Sequence, residues 1–275
     1  MNTSHQITKR TTNLTFKNAQ SLFYSYSTLQ SSIELERNLI DRIDSISLKK
    51  FNTQNTREIF NEIILKHYPN EISVKSNFIN HVLFKSNNHV TIFELPVGNS
   101  RIDLCKINGS SVAYEIKTDL DNLTRLNKQL KDYLEIFEKV YVICSLNKLP
   151  IIEKEVLTSC GIYTYSISKY GNYKFHHFRN AELSKNLNCK KQLDILRKRE
   201  LVKNFSIDTL SNRKDISSLI TQKYSTKEIN KIFKQVIKSR YQKQWDFLRN
   251  NSSQIFEIDY QWFFKNSINP NCIYR

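Results

Sequence analysis

Three side chains in this 275-residue sequence have the types and spacing for metal-assisted phosphate chemistry: Asp103 and, after an eleven-residue gap, the Glu115 and Lys117 of Glu115-Ile116-Lys117. Asp and Glu are poor strand formers, so acids set inside segments that otherwise read as strands need a reason. Period-two alternation supplies one, because Glu115 and Lys117 share a face while Val112, Tyr114 and Ile116 take the other. The apolar side packs and the charged side converges on something. Two carboxylates a few ångströms apart, with a lysine one step along, form a hard oxygen site suited to Mg²⁺ or Mn²⁺. Lys117 would orient or deprotonate a metal-bound water and contact the scissile phosphate, which is phosphodiester hydrolysis. The plainer alternative is a cross-strand ion pair of Asp103 with Lys117 or Arg101.

Whether the two acids meet depends on the connection at Asn108-Gly109. A two-residue turn would set Asp103 opposite Tyr114, on the wrong face. A three-residue connection with a left-handed glycine, or an equivalent bulge, sets Asp103 opposite Glu115. The odd connection is therefore expected. The strands that carry these residues are His89 to Leu95, Arg101 to Ile107 and Ser111 to Lys117, an antiparallel meander punctuated at Gly98 and Gly109. A helix is expected from about Asn122 to Lys139, capped by Asp121, with Leu123, Leu126, Leu130, Leu134 and Phe137 inward. The apolar run Val140 to Cys144 then reads as a buried strand in a parallel crossover, with further strands at Ile162 to Ile167 and Tyr173 to Phe178. Ahead of the meander, Thr56 to His67 reads as a helix burying Ile59, Phe60, Ile63 and Ile64, with Glu58 and Glu62 on a neighbouring face. Ser32 to Ser47 reads as another, with Ile33, Leu39, Ile40 and Ile43 on a stripe.

Composition limits the partners. Lys and Arg number 42 against 26 Asp and Glu, a net charge of +16, which points to a polyanion and first to nucleic acid. From Lys185 onward the texture is helical, with 19 Lys or Arg against 8 Asp or Glu. There Ser225 and Glu228 match a capping box, Ile229, Ile232, Phe233, Val236 and Ile237 form an inward stripe, and Lys227, Lys231, Lys234 and Lys238 decorate the outside. A solvated face accounts for those lysines about as well as phosphate contacts do. Five scattered cysteines without a C-x-x-C pair argue against a disulfide framework or a zinc ribbon and fit a reducing cytoplasm. No apolar run is long enough to span a bilayer, and Met1 to Asn13 is too polar for a secretory signal, so no membrane partner is expected. His176 and His177 read as ordinary surface histidines, and Trp262, Phe263 and Phe264 as local packing.

Asp103, the eleven-residue gap and Glu115-Ile-Lys117, preceded by a helix with Glu58 and followed by one carrying Gln129 and Tyr133, resemble the PD-(D/E)xK nuclease superfamily. The string from Glu115 through Asp121, Arg125, Gln129 and Tyr133 is similar to a family of mostly uncharacterised bacterial and phage proteins with this nuclease-like core. The resemblance covers roughly residues 55 to 205. It implies Asp103 and Glu115 as metal ligands, the Ile116 carbonyl as a third, and Lys117 as the catalytic lysine. It also implies Gln129 beside the active site, with Tyr133 on the same helix face within reach of DNA. Glu94 sits where an additional acid often lies, and Glu58 would reach in from the first helix. Ile102 stands where the superfamily's Pro often stands. That departure is common, because the Asp side chain supplies the ligand. Arg125 reads equally as a phosphate contact and as a carboxylate clamp.

The expectation is an α/β protein with a restriction-endonuclease-like core, a mixed sheet flanked by helices. Residues 1–50 form a polar, helical extension, 51–182 the nuclease-like core, and 183–275 a basic, mostly helical C-terminal region. The function expected is a Mg²⁺- or Mn²⁺-dependent DNA endonuclease, with a homodimer an open option. Two alternatives use the same residues: a nucleic-acid-binding module that does not hydrolyse, serving a mobile element or defence, and an RNA-directed nuclease.

Overall fold

A computed structural model describes residues 14–51, 54–207 and 212–274; the polar start, Met1 to Asn13, lies outside them. Helices α1 (Phe16–Ser25), α2 (Ser32–Ile40), α3 (Ser45–Leu48), α4 (Thr56–His67) and α5 (Glu71–Phe78) precede the sheet. Strands β1 (Val90–Val97), β2 (Ser100–Asn108) and β3 (Ser110–Lys117) follow, then α6 (Leu126–Leu134), β4 (Lys139–Ser145), α7 (Leu149–Glu155), β5 (Gly161–Ile167) and β6 (Tyr173–Arg179). The rest is helical: α8 (Cys189–Ile195), α9 (Lys198–Phe205), α10 (Arg213–Lys223), α11 (Thr226–Asn251), α12 (Tyr260–Asn266) and α13 (Pro270–Ile273). This is a mixed α/β fold with one six-stranded sheet flanked by helices and a helical C-terminal region.

The strands lie in sequence order. β1, β2 and β3 are antiparallel, β3, β4 and β5 are parallel through the crossover helices α6 and α7, and β6 returns antiparallel. All six strands stand within a residue or two of their expected limits. The β2–β3 connection is the odd one: Asn108 pairs with Ser110 across Gly109, whose φ of +68° only glycine adopts freely. Leu104 pairs with Tyr114, and one further step in that register places Asp103 opposite Glu115.

Besides α7, which was not expected, the helices depart from expectation in three places. The segment from Asn122 does not enter a helix until Leu126, because Asp121 accepts from the Thr118 N–H and hydroxyl, both at 2.8 Å, and closes a turn instead of capping. The helix also stops at Leu134, since Lys139 already belongs to β4. The segment expected as one helix from Ser32 is interrupted after Ile40, which leaves Ile33 and Ile40 71% and 61% exposed while Leu35, Leu39 and Ile43 are buried. The periodicity read across residues 33–43 assumed a continuous helix. Third, α5 was not anticipated. It is capped by Asn70, whose side chain accepts from the Ser73 N–H at 2.9 Å, and it buries Ser73, Lys75 and Ser76 with Val74 and Phe78. Polar residues inside erase the amphipathic stripe by which a helix is read.

The sheet and the C-terminal helices share one continuous apolar core, from Val74 through β1–β5 to Phe233, Trp245 and Phe264. A smaller cluster joins α1, α2 and α4 through Leu22, Leu35, Leu39, Phe60 and Ile64. The capping box at Ser225 and Glu228 starts α11, and Ile229, Phe233, Val236 and Ile237 face inward. Lys234 and Lys238 do not simply decorate its outside. Lys234 pairs with Glu138 at 2.8 Å and also donates to the Gly109 carbonyl, and Lys238 donates to the Asn88 carbonyl at 2.9 Å, so both dock the helix onto the sheet. Phe263 and Phe264 are buried, and His176 and His177 lie exposed on β6. Among the described residues, no helix is long and apolar enough to cross a membrane.

Candidate metal-binding active site

The acids gather where the β2–β3 ladder ends. α5 covers the sheet face of Tyr114, with Phe78 at 5.2 Å between ring centroids, while α6 covers the opposite face, which carries Glu115. Beyond Leu104 the Asp103 carboxylate takes the Ile116 N–H at 2.6 Å in place of a ladder bond. On its other side β1 passes, and the pairs Phe93–Leu104 and Leu95–Ile102 set Glu94 beside Asp103. Glu94 has a φ of +54°, a left-handed backbone that a non-glycine residue holds only where its surroundings impose it. Glu71, in the first turn of α5, completes the group: one carboxylate oxygen each from Glu71, Glu94 and Asp103 lie within 4.8 Å of one another. An all-carboxylate oxygen set of that span fits a hard divalent cation such as Mg²⁺ or Mn²⁺.

Glu115 lies in the same cavity but outside that trio. Its Oε1 accepts from Lys117 Nζ at 2.7 Å and its Oε2 from the Tyr133 hydroxyl at 2.9 Å. Lys117 also donates to Gln129 Oε1 at 3.3 Å, and Gln129 donates to the Tyr133 hydroxyl at 3.5 Å. The i, i+4 spacing on α6 that aligned Gln129 with Tyr133 thus turns both toward the sheet. Tyr133 is fully buried, which removes it from contact with any strand in the groove and makes it a support for Glu115 and for the Arg101 carbonyl. Glu58 does not reach the site. It stands on α4 in a different hollow with Glu62, Asn77 and Glu257. Glu71 stands in the place expected for Glu58, since α5 packs on the meander strand β3.

Two cations hold the acids in place. Lys75, one helical turn after Glu71, is 2% exposed; it pairs with Glu71 at 2.7 Å and with Glu94, and donates to Gln261 Oε1 on α12 at 3.1 Å. Arg101, exposed, pairs with Glu94 from outside. Burial pushes the Asp103 carboxyl well above the usual carboxylate range, and the Glu115 and Glu71 charges push the same way, opposed by Lys75 and the Ile116 N–H. Burial also raises Glu115, against the pull of Lys117 and Tyr133. For Lys117, burial disfavours the charge, but Glu115 outweighs it and the amine is held protonated. Lys75 behaves likewise through Glu71, Asp103 and Glu94. Sequence reasoning missed Glu71 and Lys75. The signal available was the i, i+4 acid–lysine pair straight after a capping Asn70.

The cavity here holds about 530 Å³ and is lined by Asp103, Glu115, Ile116, Lys117, Gln129 and Arg125, among others. A second hollow of about 340 Å³ shares Glu71, Arg101 and Asp121 with it, so the two form one groove across the acids. Arg101, Arg125 and Lys128 stand along the first hollow.

Comparison with known proteins adds the following. Residues 65–261 match the family model described as Bacteriophage P4 protein cII. Protein cII of Enterobacteria phage P4 is 32% identical over 157 residues, 54% of this chain and 59% of that protein. The chain therefore spans about 59% of the length of that curated relative. A solved structure, the SPO1766 protein of unknown function from Silicibacter pomeroyi, aligns with a TM-score of 0.32 and 11% identity, covering 50% of this chain and 93% of its own. The family match contains all four acids and both lysines of the site, together with Gln261, and leaves out Glu58.

Proposed function

This chain belongs to the bacteriophage P4 protein cII family, and from the geometry of its acidic groove we propose that it is a metal-dependent nuclease with a restriction-endonuclease-like, PD-(D/E)xK core. The observation that carries the reading is the convergence of Glu71, Glu94 and Asp103 within 4.8 Å, in a groove shared with Glu115 and Lys117. Glu71, Glu94 and Asp103 would hold the cation, with the Ile116 carbonyl and Glu115 close by. A cation held there would supply an acidified water and would offset charge on the phosphate. Lys117, held as an ammonium, contacts the phosphate and opposes the negative charge that accumulates there, while Glu115 accepts hydrogen bonds that fix the lysine. Gln129 orients the same amine. Tyr133 positions Glu115. Arg125 and Lys128 attract the backbone of the strand, for which DNA is the favoured substrate and RNA the alternative. The five unpaired cysteines suit work in a reducing cytoplasm.

A specific observation favours a second reading, a nucleic-acid-binding module without hydrolysis. Lys75, Arg101 and Lys117 already neutralise Glu71, Glu94 and Glu115, so three of the four acids are balanced by the chain's own cations. One experiment separates the two: supercoiled plasmid and a matched RNA are incubated with the protein in Mg²⁺, Mn²⁺ or EDTA, alongside Asp103→Asn and Lys117→Ala. Metal-dependent nicking lost in both variants supports the nuclease. Binding without cleavage in every buffer sinks it and leaves the module.

A further inference from the structure

The largest cavity among those described lies next to the acidic groove and is not used by the chemistry above. It holds about 710 Å³ between the β1–β2 turn, α6, α8 and α11, and it shares Asn99 and Lys128 with the groove. Its size suits a molecule of a few tens of atoms. Its inner wall is apolar: Leu95, Val97 and Ile136 are each at most 2% exposed, and Ile195 and Tyr241 are partly buried beside them. Its polar lining mixes Lys128, Lys191, Arg197 and Arg240 with the acids Asp132 and Asp194. Two of these cations are occupied: Lys191 pairs with Glu135, and Arg240 pairs with Glu200. Lys128 and Arg197 form no ion pair among the described residues, and both are exposed.

A recess with an apolar inner wall, an aromatic side chain and two unpaired cations matches the chemistry of a nucleotide, an aromatic base joined to an anionic phosphate. We propose that this cavity takes one nucleotide of the strand lying in the groove. The base sits against Val97, Ile195 and Tyr241, and its phosphate meets Arg197 and Lys128. Because Lys128 faces both spaces, a strand with its backbone at Lys117 can place a neighbouring nucleotide here without leaving the protein. The inference rests on the reading that the groove binds nucleic acid, and it does not require hydrolysis.

Its test uses the full chain in EDTA. Deoxythymidine and deoxyadenosine 5′-monophosphates and inorganic phosphate are titrated by calorimetry against the native protein, Arg197→Glu and Tyr241→Ala. The nucleotides should bind at least tenfold more tightly than phosphate and lose at least tenfold in the Arg197 and Tyr241 variants. Arg197 is exposed, so its variant reports on the cavity even if loss of Tyr241 disturbs packing. A labelled single-stranded octanucleotide, with and without one abasic position, distinguishes a strand nucleotide from a free one: the abasic strand should bind more weakly to the native protein and equally to the Arg197 variant. Nucleotides that bind no better than phosphate, or that ignore Arg197, overturn the proposal even if plasmid nicking stands. Mononucleotide binding without any effect of the abasic position overturns the strand assignment.

Discussion

The chain buries carboxylates in two places, and their surroundings differ in kind. Asp259, 1% exposed, accepts from Thr28 at 2.6 Å and from Tyr26 and Tyr274 at 2.7 Å each, with the Arg57 guanidinium 5.1 Å above the Tyr274 ring. Every neighbour is a donor or a cation, and the contacts join the N-terminal helices to the C-terminal segment. Around Asp103 the neighbours include other carboxylates, on the wall of a 530 Å³ cavity, beside Lys75 and the Ile116 N–H. Both acids are pushed upward by burial and opposed by hydrogen bonds, but only at Asp103 do like charges add to the push. A buried acid saturated by the chain's own donors serves stability. One crowded with like charges beside an opening is poised for a cation from outside.

The widest gap between the two should appear with Asp103→Asn. Plasmid nicking is expected to fall about 10³-fold, the several kcal/mol that metal coordination supplies, while the thermal midpoint holds or rises. The folded-state carboxyl is raised, so the native protein loses stability as pH climbs above the ordinary carboxylate range, and the permanently neutral Asn escapes that loss. The midpoint advantage of the variant should therefore grow with pH and vanish in acid; an advantage largest in acid breaks the argument.

Asp259→Ala should do the reverse. It strands three hydroxyls and costs about 3 kcal/mol in denaturant melts, with Mn²⁺ affinity unchanged. Equal damage to metal binding would erase the distinction between the two sites.

Lys75→Met should lower stability by about 3 kcal/mol in EDTA, because Glu71 and Glu94 lose their internal counter-charge. Added Mg²⁺ should restore part of it by binding the folded state. If millimolar Mg²⁺ restores nothing, the trio is not a cation site. The initial nicking rate of the native protein should increase as pH climbs above the ordinary carboxylate range, as Asp103 and Glu115 give up protons that burial helps them keep. A rate that declines over that range contradicts their role as ligands. The smallest effect belongs to Glu58→Gln, which stands in a different hollow. Its nicking should stay within about twofold of native, as for a surface substitution away from the site.

Much of the site was readable in the sequence because strands make side-chain direction a matter of parity. The alternation around Glu115 reduced the meeting of Asp103 and Glu115 to one choice, a two-residue or an odd connection at Gly109, and the structure has the odd register that was expected. Glu94 was anticipated as an accessory acid, though not its left-handed backbone. Helical contributions were less legible. Glu58 and Glu71 are both acids in the first turn of a helix with an Asn cap, and nothing local distinguishes the one that reaches the site. The lysines of α11 show the same ambiguity: Lys227 and Lys231 are exposed, while Lys234 and Lys238 dock on loops of the sheet.

By itself the sequence determined the six strands and the face that Glu115 shares with Lys117, since period-two alternation is a local property. Tertiary structure alone decided that Glu71 joins the acids, that Lys75 is buried to balance them, that Tyr133 supports Glu115 from inside, and that Asp259 ties the chain's two ends together. These depend on which helix rests on which face of the sheet. That choice is set by the packing of the whole core, in which residues nearly two hundred positions apart, such as Lys75 and Gln261, become neighbours.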